Sequence, residues 1–158
     1  NRVLNSVVNK GVEVLDRKVK ENSPVPILHI ADNTGTAIQQ SGLKKVGLIG
    51  TKHTMGGTFI TGRLAKEFGL EVLVPKSEDQ EKLHRIVHEE LTYGKYHDSS
   101  KQYVLQQIAK MVDQGAEGII LGCTEFPLII KPEDLDIPSF NTTLLHSEYA
   151  VDFILNKD

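Results

Sequence analysis

Cysteine occurs once in this sequence, at Cys123. No disulfide can form within the chain, and a lone thiol suits a reducing compartment. An excess of one charge is also missing. Lys and Arg number 18 against 21 Asp and Glu, a formal net charge of −3. With no block of Lys or Arg, the footprint of a nucleic-acid binder is absent. The longest apolar runs are strand-sized, far below the ~20 residues of a membrane helix. The first twenty residues are polar and periodic, unlike the apolar centre of a signal peptide. Repeats and low-complexity segments are lacking too. What remains is ordinary: 158 residues, 25% charged and 39% hydrophobic, enough for one domain with a real core. The expectation is a cytoplasmic protein that binds neither nucleic acid nor membrane. The chain opens at Asn1 rather than methionine, which fits a processed product or a fragment.

Apolar periodicity supplies the elements. Val3, Leu4, Val7, Val8, Val12, Leu15 and Val19 fall on one helical face, predicting a helix over Arg2–Glu21 that stops before Pro24. Residues 26–30 read as a short buried strand. Asp32 or Asn33 is placed to cap a helix ending near Gly42. Strands are expected at 45–50, 70–74, 118–122 and 137–140. Helices are expected at 54–68, from Ser77 onward with Ser77 and Gln80 as a capping box, at 99–114, through Ile130, and at 143–155. Strands alternating with helices predict an α/β fold, a parallel sheet covered by helices on both faces. Residues 44–142 form a minimal α/β lobe. Residues 1–43 and the terminal helix from 143 to 158 look like pieces of a second lobe.

Ligands in open parallel sheets bind at the carboxyl ends of the strands. Three such ends are small and polar: Gly50-Thr51 with Thr54, Gly122-Cys123-Thr124-Glu125, and Asn141-Thr142-Thr143. Cys123 stands where a buried strand gives way to a helix. The positive helix end and free N–H groups would stabilise a thiolate there, predicting a pKa below the free value of about 8.5. Thr124 is placed to cap that helix, and Pro127 fits its first turn. The competing view is that a lone cysteine is a small buried hydrophobe. Thr51 and Thr54 offer hydroxyls to a carboxylate or phosphate, or simply cap a helix. The glycines at 47 and 50 form neither G-x-G-x-x-G nor a Walker A run, so a nucleotide site has little support. His84 and His88 have metal-ligand spacing, but Arg85 stands where a zincin needs glutamate and no third ligand is evident. They read as a polar helix face, His29 as a core or edge histidine, and Lys95 as a solvated turn lysine.

Several runs taken together resemble the aspartate/glutamate racemase family. They are Pro26-Ile27-Leu28-His29-Ile30-Ala31-Asp32, Lys45-Val46-Gly47-Leu48-Ile49-Gly50-Thr51 with Thr54-Met55, and Leu70-Glu71-Val72-Leu73-Val74-Pro75. His84-Arg85-Ile86-Val87-His88-Glu89-Glu90-Leu91 and Leu121-Gly122-Cys123-Thr124-Glu125 complete the set. Order and spacing match from about Pro24 onward. The resemblance implies two similar α/β lobes with the active site between them and one cysteine from each. One thiolate removes the Cα proton of an acidic amino acid while the other thiol delivers a proton to the opposite face, without PLP, metal or other cofactor. It implies that Cys123 is the base/acid of the C-terminal lobe. Thr51, Thr54 and Thr124 would hold carboxylates, Glu125 would orient the site, and Lys95 would meet the distal carboxylate. It also implies an earlier segment like Cys-x-Asn-Thr-x-His, which this sequence does not contain.

Three functions follow as expectations. The first is racemisation of aspartate or glutamate, with the second base supplied from outside these residues. The second is a racemase-like protein that binds an acidic amino acid or a partner without full activity. The third is another cysteine enzyme, such as a thiol hydrolase, for which no local histidine signature is present. Exposed apolar faces on an incomplete pair of lobes favour a homodimer.

Overall fold

The computed structural model describes residues 5–7, 22, 24 and 26–155. The chain forms strand β1 (Asn5–Val7), β2 (Ile27–His29), helix α1 (Ile30–Gln40), β3 (Lys45–Ile49), α2 (Lys52–Gly56), α3 (Thr58–Phe68) and β4 (Glu71–Leu73). There follow α4 (Ser77–Arg85), α5 (Asp98–Asp113), β5 (Gly118–Leu121), α6 (Phe126–Ile129), β6 (Ser139–Asn141) and α7 (Thr142–Leu155). A π-helical turn at Ile86–Glu90 and a 3-10 turn at Leu91–Tyr93 prolong α4.

The fold is α/β, with a four-stranded parallel sheet in the order β4-β3-β5-β6. Successive strand residues point to opposite faces, and here both faces are apolar. Val46, Leu48 and Ile120 pack with Ile38 of α1 and Phe59, Ile60 and Leu64 of α3. Ile49, Ile119 and Leu121 pack on the other face with Leu83 of α4, Val104, Ile108 and Met111 of α5, and Phe126 of α6. Burying each Leu or Ile stabilises by about 1.5–3 kcal/mol, so the two helical layers and the sheet hold one another. Helix α1 lies before residue 44 yet shares this core. The terminal helix α7 packs on α1, where Asn33 Nδ2 and His146 Nδ1 lie 2.8 Å apart in a buried contact.

The order of the strands determines where a crevice opens. From β3 the chain moves to β4 on one side, then crosses back to β5 on the other. Connections therefore leave β3 and β5 in opposite directions, which is the switch point at which open α/β sheets leave room for a ligand. Gly122 N–H donates to Ile49 O at 2.8 Å, carrying the β3–β5 ladder to the rim of that crevice.

Several local expectations are corrected. Residues 5–7 of the expected N-terminal helix form β1 instead, with Asn5, Ser6 and Val7 opposite Ile27, Leu28 and His29. A strand partner supplies backbone bonds that helical spacing cannot reveal; the rest of that helix lies outside the described residues. Helix α1 starts at Ile30, capped by His29, whose Nδ1 accepts the Ala31 N–H at 3.1 Å. Asp32 pairs with Arg63 instead, and Asn33 meets His146. The helix expected at 54–68 is two helices, broken at Gly57, whose backbone is extended. The Ser77–Gln80 box does not form, because Gln80 Nε2 donates to Pro75 O at 2.8 Å and Lys76 occupies the cap. Gly69 ends α3 as expected, at φ +65°, with the Leu70 N–H returning to Leu64 O. Among the described residues no helix is long and apolar enough to cross a membrane.

Leu48 is fully buried on the central strand while Tyr93 is 73% exposed. Leu48→Ala is expected to cost about 2–5 kcal/mol in urea denaturation. Tyr93→Ala should stay within about 0.5 kcal/mol of the parent.

Candidate active site

Two strand-to-helix turns meet at the switch point. After β3, Thr51 adopts an extended backbone and caps α2, its Oγ1 accepting the Thr54 N–H at 3.3 Å. The two threonine hydroxyls lie 3.0 Å apart. After β5, Cys123 follows Gly122 directly and stands half-buried just ahead of α6. Thr54 links the turns. A Cβ on Gly50 would fall 2.9 Å from the Thr54 side chain, and one on Gly122 would fall 3.2 Å from its methyl and 3.0 Å from Ile49 O. At Gly122 the Cβ would also meet Leu48 Cδ1 at 2.8 Å, so glycine at both strand ends lets Leu48, the β3 backbone and Thr54 close on them. A third strand end is tied in from the far side, where buried Thr142 donates its hydroxyl to Leu121 O at 3.0 Å.

The sulfur environment corrects the expected thiolate. Burial leads the effects that push the Cys123 thiol up to about 12. Backbone N–H groups of Phe126 and Glu125 donate to the sulfur and favour the thiolate, yet do not offset burial. The Glu125 carboxylate adds to the rise through its charge and its hydrogen bond with the thiol. Helix α6 spans only Phe126–Ile129, too short for a substantial macrodipole. Thr124 does not cap it. The cap position is Glu125, without a side-chain cap bond, and Thr124 is exposed. At rest the site therefore holds a neutral thiol beside a carboxylate.

Thr51, Thr54 and Cys123 are brought to adjoining strand ends, and Glu125 touches the thiol. Lys95 is exposed in the turn after Gly94. Its N–H donates to Glu90 O at 3.1 Å, and its Nζ stands 5.7 Å from the Tyr93 ring centroid. Among the described residues no hydrogen bond or ion pair joins Lys95 to the threonines or the thiol. One group escaped the sequence argument. His53 of α2 stands edge-on to His84 of α4 with ring centroids 5.8 Å apart, and His84 in turn is 4.3 Å from His88. The helical spacing of His84 and His88 was visible; the third ring is brought in by the packing of α2 on α4. Lys52 and Glu81 bridge the same two helices at 2.5 Å. Among the described residues no group of three His, Cys, Asp or Glu is arranged to hold a metal ion.

Residues 13–150 match the family model described as Asp/Glu/Hydantoin racemase. A crystal structure of a Yersinia pestis protein, provisionally named an Asp/Glu racemase, is 37% identical with a TM-score of 0.90, over 97% of this chain and 66% of that one. An aspartate racemase homologue from Pyrococcus horikoshii is 34% identical with a TM-score of 0.88, over 97% and 67%. A glutamate racemase from Histophilus somni is 27% identical over 82% of this chain. The chain spans 47% of that glutamate racemase and 66% of the Yersinia protein.

Because Cys123 is the sole cysteine, alkylation by iodoacetamide reports on it alone. The rate should climb from pH 7 to pH 10 without a plateau, since the thiol is held up to about 12. Glu125→Gln removes the neighbouring charge and should speed alkylation at pH 8; an unchanged or slower rate would refute the role given to that carboxylate.

Proposed function

The chain belongs to the Asp/Glu/Hydantoin racemase family, and from that premise we propose that it inverts the Cα centre of an acidic amino acid, aspartate or glutamate. The observation that carries this reading is the juxtaposition at the switch point. One thiol with a carboxylate partner lies at the end of β5, beside two threonine hydroxyls at the end of β3. A racemase must move a proton on and off a single carbon and hold the resulting carbanion. These residues supply the chemistry for one face of that carbon.

In one direction, Cys123 acts as the acid. The S–H bond breaks, its proton goes to Cα, and the thiolate left behind is received by the N–H groups of Glu125 and Phe126. In the other direction Cys123 must first release its proton to solvent, with Glu125 orienting the sulfur. The thiolate then takes the Cα proton. Substrate binding favours this step, because a substrate ammonium near the sulfur stabilises negative charge that burial otherwise opposes. Hydroxyls of Thr51, Thr54 and Thr124 are assigned to the substrate carboxylates and Lys95 to the distal one. Donors aimed in advance at the developing charge stabilise it most where water is excluded. The opposite face needs a second acid/base, which is not a cysteine of this sequence. In this reading residues 44–142 are the lobe that carries the thiol, joined in one core by helix α1 before them.

A second reading, binding of an acidic amino acid without inversion, is favoured by that single cysteine. Exchange in D2O separates the two. L- and D-aspartate and L- and D-glutamate are incubated with the chain while NMR follows the Cα proton and chiral chromatography follows configuration. Racemisation requires loss of the Cα–H signal with inversion, abolished in Cys123→Ala. Thr51→Val should raise KM about tenfold, the loss of one charge-assisted hydrogen bond. Binding without Cys123-dependent exchange would establish the second reading and sink the first.

A further inference from the structure

Helix α2 carries the threonine pair but spans only Lys52–Gly56, too short to be stable without packing. Met55 seats it in the core beside Leu83, Ile86 and Val87, and two polar contacts join its exposed side to α4. The ion pair between Lys52 and Glu81 joins side chains that are 50% and 45% exposed, so solvent screening leaves it little weight. The other contact is the file of three imidazoles, His53, His84 and His88. His84 is the middle ring, and its Nδ1 is buried without a hydrogen-bond partner among the described residues.

Neutral rings packed edge to face attract one another. Protonation changes both terms. Cationic rings at 5.8 and 4.3 Å repel. An imidazolium also carries N–H on both nitrogens, so charging His84 buries a donor at Nδ1 that finds no acceptor. Four ionisable groups act on this ring: Lys52 and His53 from α2, Glu81 on α4, and His88 in the π-helical turn. Burial is the leading effect, and His88, His53 and Lys52 add to it. Glu81 alone opposes, and the balance lowers the pKa of His84 from its ordinary 6.5.

We propose that the imidazole file is a positioning device for the Thr51–Thr54 turn, steadying the exposed side of α2 for an anionic ligand while His84 is neutral and loosening it in acid. The folded state disfavours the His84 proton relative to the unfolded chain. The contact's contribution is thus complete above the unfolded value near 6.5 and is lost as pH falls below it, toward the depressed folded value. Movement of α2 stands on the packing alone. Only the consequence for ligand affinity rests on the carboxylate role proposed for the threonines.

The test reads the two separately. The Thr54 and Met55 amides bond to Thr51 Oγ1 and Thr51 O, so their hydrogen exchange reports on the turn. After correction for the intrinsic rate, part of the protection should be lost between pH 7.5 and 5.5, following the titration of the His84 ring observed by NMR. His84→Phe keeps the ring and removes its proton, and its protection should not change over that range. If that variant does not fold, His53→Phe should reduce the pH dependence in its place. Constant protection in the parent, or an equal fall in parent and variant, overturns the proposal. L-aspartate and L-glutamate should bind more weakly at pH 5.5 than at 7.5. Tighter binding in acid would overturn it too, because the histidines would then act as charges that attract the ligand. Failure to bind at either pH would remove the carboxylate role, leaving the exchange result to decide the device.

Discussion

The site depends on one close approach: a threonine methyl laid across the ends of two neighbouring strands. Gly50 permits it most directly, since a Cβ there would meet Thr54 at 2.9 Å, while a Cβ on Gly122 would meet Leu48 at 2.8 Å and Ile49 O at 3.0 Å before the Thr54 methyl at 3.2 Å. That contact is short because β3 and β5 are direct neighbours whose ladder runs to their last residues. It follows that the hydroxyl pair and the thiol share one rim although they are far apart in sequence. Their relative position is inherited from the backbone pairing of β3 with β5 and not from the loops that carry them.

Much of the architecture was legible because apolar strands covered on two faces leave a plain trace. The runs Val-Gly-Leu-Ile and Gly-Ile-Ile-Leu have no polar alternation, and each ends at a small residue followed by a polar one. Such runs fit only a sheet buried on both sides. What the sequence did not disclose was settled by partners remote in the chain. His29 displaced Asp32 and Asn33 as the cap of α1 because those two side chains are engaged with Arg63 and His146. Helical spacing at the N-terminus was overridden where β1 found β2. The π-helical turn after α4 keeps Ile86, Val87 and Leu91 in the core while shifting the backbone register, a change that side-chain periodicity does not reveal.

The site divides in the same way. The location of Cys123 follows from a strand end, and its neighbours resemble a known family closely enough to suggest their roles. Its protonation state does not follow. A helix N-terminus argues for thiolate, but this helix is one turn long, the sulfur is desolvated, and a carboxylate touches it. The imidazole file needed two helices to be packed before its third ring was visible. Position could be inferred from local sequence; electrostatics required the complete set of neighbours.

The strand order β4-β3-β5-β6 also has a meaning for biosynthesis. As the chain leaves the ribosome, β3 can pair at once with β4, but its other edge stays open until β5 has been made. Unpaired edges of this kind invite association with other chains, and long-range parallel pairing is slow. During that interval the threonine turn exists without its thiol. The two halves of the rim come together only once β5 and Cys123 have emerged, so a nascent chain ending before β5 would present an open strand edge and lack the thiol.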